Sequence, residues 1–105
     1  MEQLLNFING ASVPSSSGKT SDLINPSTGE VYAKAPVSNS ADVDQAMKSA
    51  SGAFVGWRDS TPSERQRALL KIADALESRA EEIVAIESRN TGKPLEITID
   101  SSKFK

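Results

Sequence analysis

Cysteine and histidine are both absent from the 105 residues. Without cysteine the chain can form no disulfide, no thiolate metal site and no cysteine nucleophile. Without histidine it can form no Ser-His or Cys-His triad, and it lacks the side chain best suited to moving protons near neutral pH. Long apolar runs are missing too, and nothing approaches the roughly 20 residues of a spanning helix. The first residues, Met1-Glu2-Gln3-Leu4-Leu5, have no basic region and only a short apolar stretch, so they do not read as a signal peptide. Neither sign of charge dominates: 14 acidic and 12 basic residues leave a formal net charge of −2. That balance offers no field for nucleic acid or an anionic membrane, and neither is expected as a partner. The lack of cysteine makes a cytoplasmic location the expectation. What remains is 37% hydrophobic and 25% charged, the composition of an ordinary soluble globular chain. Its length suits one domain or part of one.

The chain changes texture near residue 40. Residues 1–40 are rich in Gly, Pro, Ser, Asn and Thr, which favours short strands and turns. Two antiparallel hairpins are predicted, at about 4–13 and 22–35. In the first, Asn9-Gly10 joins Leu4–Ile8 to Ala11–Val13, because both turn residues tolerate positive φ. In the second, Pro26-Ser27-Thr28-Gly29 makes the turn, and Val31, Ala33 and Ala35 lie on one face of the returning strand. Pro14 to Thr20 is expected to be a mobile loop.

Residues 41–92 carry helix signals, with helices predicted at about 41–56, 62–78 and 79–91. Ser40 is the expected N-cap of the first, with Asp42 and Asp44 in the first turn. Val43, Ala46, Met47, Ala50, Phe54 and Trp57 form an apolar stripe, and Gly56 is the expected end. Thr61-Pro62-Ser63-Glu64 is a capping box with Pro at the first helical position. Leu69, Ile72, Ala73 and Leu76 form the expected buried stripe of the second helix, and Ile83, Val84 and Ile86 that of the third. Thr91-Gly92-Lys93-Pro94 is a stop signal. Leu95 to Asp100 alternates like a strand but has no evident partner, and 95–105 is expected to be a frayed tail.

The search for chemistry yields little. Ser17-Gly18-Lys19-Thr20 echoes the end of a phosphate-binding loop, but the motif's leading Gly is replaced by Val13 and no helix signal follows. Arg65, Arg67, Lys71 and Arg79 read as a solvated helix face, as do Glu81, Glu82 and Glu87. The apolar stripes are wide for the small hairpins available to cover them, so part of that surface is expected to meet a layer outside this chain.

Three stretches, in this order, resemble the N-terminal part of the NAD(P)-dependent aldehyde dehydrogenase superfamily. They are Phe7-Ile8-Asn9-Gly10, then Ile24-Asn25-Pro26-Ser27-Thr28-Gly29-Glu30-Val31, then Thr61-Pro62-Ser63-Glu64-Arg65 running to Asn90-Thr91-Gly92-Lys93-Pro94-Leu95. Between them, Ala41 to Ala46 and Ala53-Phe54 to Trp57 look like that family's first helix. The Glu87 to Pro94 run is similar to the aminobutyraldehyde and betaine-aldehyde branch. The resemblance covers about residues 4–96.

The resemblance implies an α/β fold, with residues 1–105 forming the N-terminal part of a Rossmann-like cofactor-binding domain. It implies an oxidoreductase that converts an aldehyde, such as 4-aminobutanal, to its acid with NAD or NADP. The partners implied are the remainder of the chain and further copies in a dimer or tetramer. The family's cysteine nucleophile, glutamate base, oxyanion asparagine and glycine-rich cofactor turn all lie downstream of the matched region. No catalytic or cofactor-binding role therefore falls on any residue here, and the chain alone, as a truncated piece, is expected to be inactive. Some family members hold a structural monovalent cation at positions matching Leu23, Ile24 and Asn90; an Asn in place of the family's Asp removes a charge and weakens such a site. The family also begins a helix where Leu95 to Asp100 reads as a strand. The competing expectation is a stand-alone helical module that binds a partner through Leu69, Ile72 and Leu76 and through Val43, Met47 and Phe54.

Overall fold

A computed structural model describes residues 1–95. They divide into two compact units. One comprises Met1–Leu23 and Val31–Ser60; the other comprises Ile24–Glu30 and the chain from Thr61 onward.

The first unit contains the strands and one helix. β1 (Glu2–Gln3), β2 (Asn6–Ile8), β3 (Ala11–Val13), β4 (Thr20–Ile24) and β5 (Val31–Pro36) precede α1 (Ser40–Arg58). β2 and β3 form the first predicted hairpin, with Asn6 opposite Val13, Phe7 opposite Ser12 and Ile8 opposite Ala11. Asn9 and Gly10 have φ of 53° and 75°. Two positive values in a two-residue connection define a type I′ turn, whose twist suits the flanking strands. The second sheet has the order β1-β5-β4. The link between β4 and β5 is too short for a parallel crossover, so these strands are the second predicted hairpin. Asn25 N–H donates to Glu30 O at 2.9 Å to close the turn. β1 was not predicted, because two residues carry no periodicity. It pairs parallel to β5, with Glu2 opposite Ala33 and Gln3 opposite Lys34. Ala33, covered on both sides, has no exposed surface.

α1 departs from expectation at both ends. Its N-cap is Asn39, one residue before the expected Ser40. The Asn39 side chain accepts from Asp42 N–H, and the Asp42 carboxylate accepts from Asn39 N–H, which completes a capping box. At the other end the helix runs through Gly56 to Arg58. Gly56 does not adopt the left-handed conformation that would stop it. Termination falls instead at Asp59 and Ser60, where Ser60 Oγ donates to Trp57 O at 2.6 Å.

The second unit holds the Ile24–Glu30 turn, α2 (Pro62–Ser78) and α3 (Ala80–Thr91). The Thr61 capping box forms as read: Glu64 N–H donates to Thr61 Oγ1 at 3.2 Å, and Thr61 N–H donates to Glu64 Oε2 at 2.7 Å. Arg79 is at once the C-cap of α2 and the N-cap of α3. α3 stops at Gly92, which is left-handed with φ 75° and donates its N–H to Ser88 O at 2.9 Å. Glycine is needed there for a second reason, since a Cβ would sit 3.0 Å from Pro26 Cγ. The expected strand at 95–100, apart from Leu95, and the expected frayed tail lie outside the described residues.

The apolar core is small. Among the described residues only Ile8, Ala33 and Val84 are buried hydrophobics. The expectation that Ile83 and Ile86 face inward with Val84 fails, as both are exposed.

Candidate functional site

A polar cluster of tertiary origin lies at the start of α1. Asp42 is buried, and its two carboxylate oxygens are divided between two backbone donors. Oδ1 accepts from Ser16 N–H at 2.9 Å and Oδ2 from Asn39 N–H at 3.0 Å. Ser16 Oγ donates to Asn39 Oδ1 at 3.1 Å. The two backbone hydrogen bonds hold the Asp42 carboxyl below its ordinary range, Asn39 more strongly than Ser16. Every polar group is satisfied, so the cluster acts as a fastening with no free acid or base. The sequence reading makes Ser40 the cap; the Asn39-x-x-Asp42 spacing is the signal that could have found Asn39. The partner role of Ser16, 26 residues from Asp42, has no such signal.

The Pro14–Thr20 segment differs from the mobile loop expected of it. Gly18 N–H donates to Ser15 O, Ser17 Oγ to Val37 O, and Val37 N–H to Lys19 O. These bonds turn the polar groups of Ser17-Gly18-Lys19 toward their own chain. Thr20 opens strand β4, where a phosphate-binding loop would open a helix.

The residues considered for a monovalent cation lie at two places. Leu23, half-buried, and Ile24, exposed, end β4; Asn90, exposed, lies in the last turn of α3. Ile24 and Asn90 belong to the second unit, where the close approach of Gly92 and Pro26 brings the α3 terminus to the turn that follows Ile24. Among the described residues, no three acidic side chains gather where they could hold a metal ion. The remaining charged residues named in the sequence stay on the surface. Arg79 makes a two-pronged pair with Glu82 at 2.7 and 2.8 Å, raising the Arg79 pKa and lowering that of Glu82.

The most extensive chemical feature is apolar and exposed. On α1, Val43, Met47, Phe54 and Trp57 are exposed, Met47 by 65%. On α2 the expected buried stripe is open as well: Leu69, Ile72 and Leu76 are exposed, Leu69 by 60%, and Leu70 joins them. The periodicity located each stripe correctly, but its own unit leaves the large side chains of each stripe mostly open. The arrangement supplies adhesive surface and no reacting group.

The sequence model of the aldehyde dehydrogenase family matches residues 13–101. The chain belongs to the aldehyde dehydrogenase family. It is 44% identical over 92 residues to 2-aminomuconic semialdehyde dehydrogenase of Danio rerio, which covers 88% of this chain and 18% of that protein. The crystal structure of HpcC from Thermus thermophilus superposes with a TM-score of 0.92 at 37% identity, over 96% of this chain and 20% of that one. A putative methylmalonate-semialdehyde dehydrogenase from Sinorhizobium meliloti 1021, complexed with NAD, gives a TM-score of 0.88 at 33% identity, over 93% of this chain and 20% of that one. The chain thus spans about a fifth of the length of these relatives and has their α/β fold in that stretch.

Proposed function

We propose that this chain is the N-terminal framework of an NAD(P)-dependent aldehyde dehydrogenase and contributes structure to it, without reacting groups. The observation that carries the reading is the exposure of the α1 and α2 apolar stripes in a chain that matches only about a fifth of its relatives. Such stripes are stable against another layer of the same enzyme. The reaction of the whole enzyme is the oxidation of an aldehyde to its acid. An amino-bearing aldehyde, 4-aminobutanal among them, is the substrate proposed, from the likeness of Glu87–Pro94 to that branch.

The residues present do not fit a dinucleotide. The described helices begin at Asn39-Ser40, Thr61-Pro62 and Arg79-Ala80, and none follows a glycine-rich turn that could admit a pyrophosphate. NAD or NADP is therefore assigned to the remainder of the enzyme, and no residue here is given a catalytic role. Association into a dimer or tetramer and a cytoplasmic location are proposed for the complete enzyme. No described helix is long and apolar enough to cross a membrane. A weak monovalent-cation site at Leu23, Ile24 and Asn90 is proposed as a structural accessory. Its check is a comparison of thermal midpoints in sodium, potassium and tetramethylammonium salts, with the Asn90→Asp variant showing the larger dependence on the ion.

Complementation tests the main reading. The chain alone should reduce no NAD or NADP with any aldehyde. Co-expression with the four-fifths of a relative that this chain does not match should restore turnover. Turnover by the chain alone would overturn it. A stand-alone interaction module using the same stripes predicts instead strong hydrogen-exchange protection of every helix in the isolated chain.

A further inference from the structure

Five asparagines occur in the chain, and their surroundings differ sharply. Asn6 donates through Nδ2 to Ser38 Oγ at 2.8 Å, and bulky Phe7 follows it. Asn25 precedes Pro26, which has no N–H to lose, and its Oδ1 accepts from Ser27 N–H. Asn39 precedes the small Ser40, but its Oδ1 caps α1 and receives Ser16 Oγ. Asn90 lies within α3 and precedes β-branched Thr91. Asn9 is different on each count. It is exposed, its side chain has no hydrogen bond among the described residues, and glycine follows it. Gly10 stands in open space: apart from its own residue and its two chain neighbours, no heavy atom lies within 4 Å of the place a Cβ would occupy.

From this juxtaposition we infer that Asn9-Gly10 is a site of spontaneous covalent modification, at which the asparagine deamidates and isomerises. The Gly10 backbone nitrogen attacks Asn9 Cγ, a new C–N bond forms, the C–Nδ2 bond breaks, and the amide leaves as ammonia with the proton lost from Gly10 nitrogen. Water then opens the five-membered imide at either carbonyl, giving aspartate or isoaspartate. No oxidant or other reactant is required. The ring needs Gly10 nitrogen to approach Asn9 Cγ, and a Cβ at residue 10 would hinder that approach. The left-handed turn must open first. With only three residues in each strand of the hairpin, such local opening costs little.

The product has consequences for the fold. Isoaspartate carries the main chain through its side-chain carbon, so the turn gains a backbone atom and loses the I′ geometry. The Ile8–Ala11 pairing is set by that geometry, and Ile8 is one of the buried hydrophobics of the first unit.

Peptide mapping of the purified chain aged at mildly alkaline pH, in buffer and in urea, tests the assignment. Product at Asn9 should lead product at Asn39 by at least about fivefold in buffer, since reaction at Asn39 must first give up a helix cap. Urea should accelerate Asn39 and leave the Asn9 rate nearly unchanged. The Asn9→Gly variant, which keeps a residue suited to positive φ, should show no product in that peptide. Native structure that protected Asn9 as strongly as Asn39, or product appearing at Asn39 first, would overturn the inference.

Discussion

The two units are held in different ways. In the first, side chains far apart in sequence are fastened to one another. Asn6 reaches Ser38, Ser16 reaches Asn39 and Asp42, and Ser17 reaches Val37, across separations of 20 to 32 residues. In the second, Thr61 bonds to Glu64, Arg79 to Glu82, and Ser88 Oγ donates to Lys93 O at 2.7 Å, each a link of five residues or fewer. The first unit has a tertiary framework with little apolar filling. The second has well-capped helices that leave their hydrophobic stripes open. Capping sets where a helix starts and stops, while most helical stability in proteins comes from packing an apolar face. The α2–α3 pair therefore has well-defined ends but little apolar packing to hold its helices.

The sharpest way to break this contrast is to truncate one apolar side chain in each unit. Ile8→Ala removes a buried side chain against α1 and should cost about 2–4 kcal/mol in urea unfolding of the chain. Leu69→Ala, on the open stripe of α2, should stay within about 0.5 kcal/mol. Equal costs would show that the α2 stripe is covered after all.

Next in size is Gly92→Ala. It places a Cβ at positive φ and 3.0 Å from Pro26 Cγ, and should cost about 1–2 kcal/mol. The loss would appear as a lower thermal midpoint together with faster exchange of the last α3 amides.

The caps allow a finer comparison. Thr61→Ala and Asn39→Ala each remove an N-cap worth ~1 kcal/mol. The Asn39 change should be the larger, because it also removes the acceptor of Ser16 Oγ. If the two are equal, the long-range bond contributes nothing.

Acid should loosen the first unit through Asp42. Its folded pKa lies below the ordinary value of 3.8, so the unfolded chain binds the proton more tightly. The stabilisation is complete above the unfolded value and is lost as pH falls through the folded one. Unfolding midpoints followed from neutral pH to about pH 3 should decline less in Asp42→Asn than in the unchanged chain.

The smallest effect is expected at the exposed Arg79–Glu82 pair. Glu82→Gln should shift the thermal midpoint barely at all, and salt should mask whatever shift there is.

Much of this architecture is written in short-range chemistry. Asn9-Gly10, Thr61-Pro62-Ser63-Glu64 and Thr91-Gly92 each fold as the local pattern predicts, because a turn or a cap is decided by residues within reach of one another. The family is legible for a related reason: its marks are turns and caps in a particular order. The misreadings share the opposite cause. β1 has no pattern of its own and exists only because β5 offers it an edge. The Pro14–Thr20 segment, with three serines and a glycine, looks free until Val37 and Asp42 accept its bonds. Gly56 could have ended α1 but did not take the left-handed conformation.

The sequence alone determined which residues turn, which start and stop helices, and which side of each helix is apolar, since these depend on backbone preference and spacing along the chain. Tertiary structure alone decided which apolar sides are covered and which polar groups meet. Burial and long-range hydrogen bonding depend on what stands opposite a residue in space, and their own units leave the large side chains of the α1 and α2 stripes mostly open.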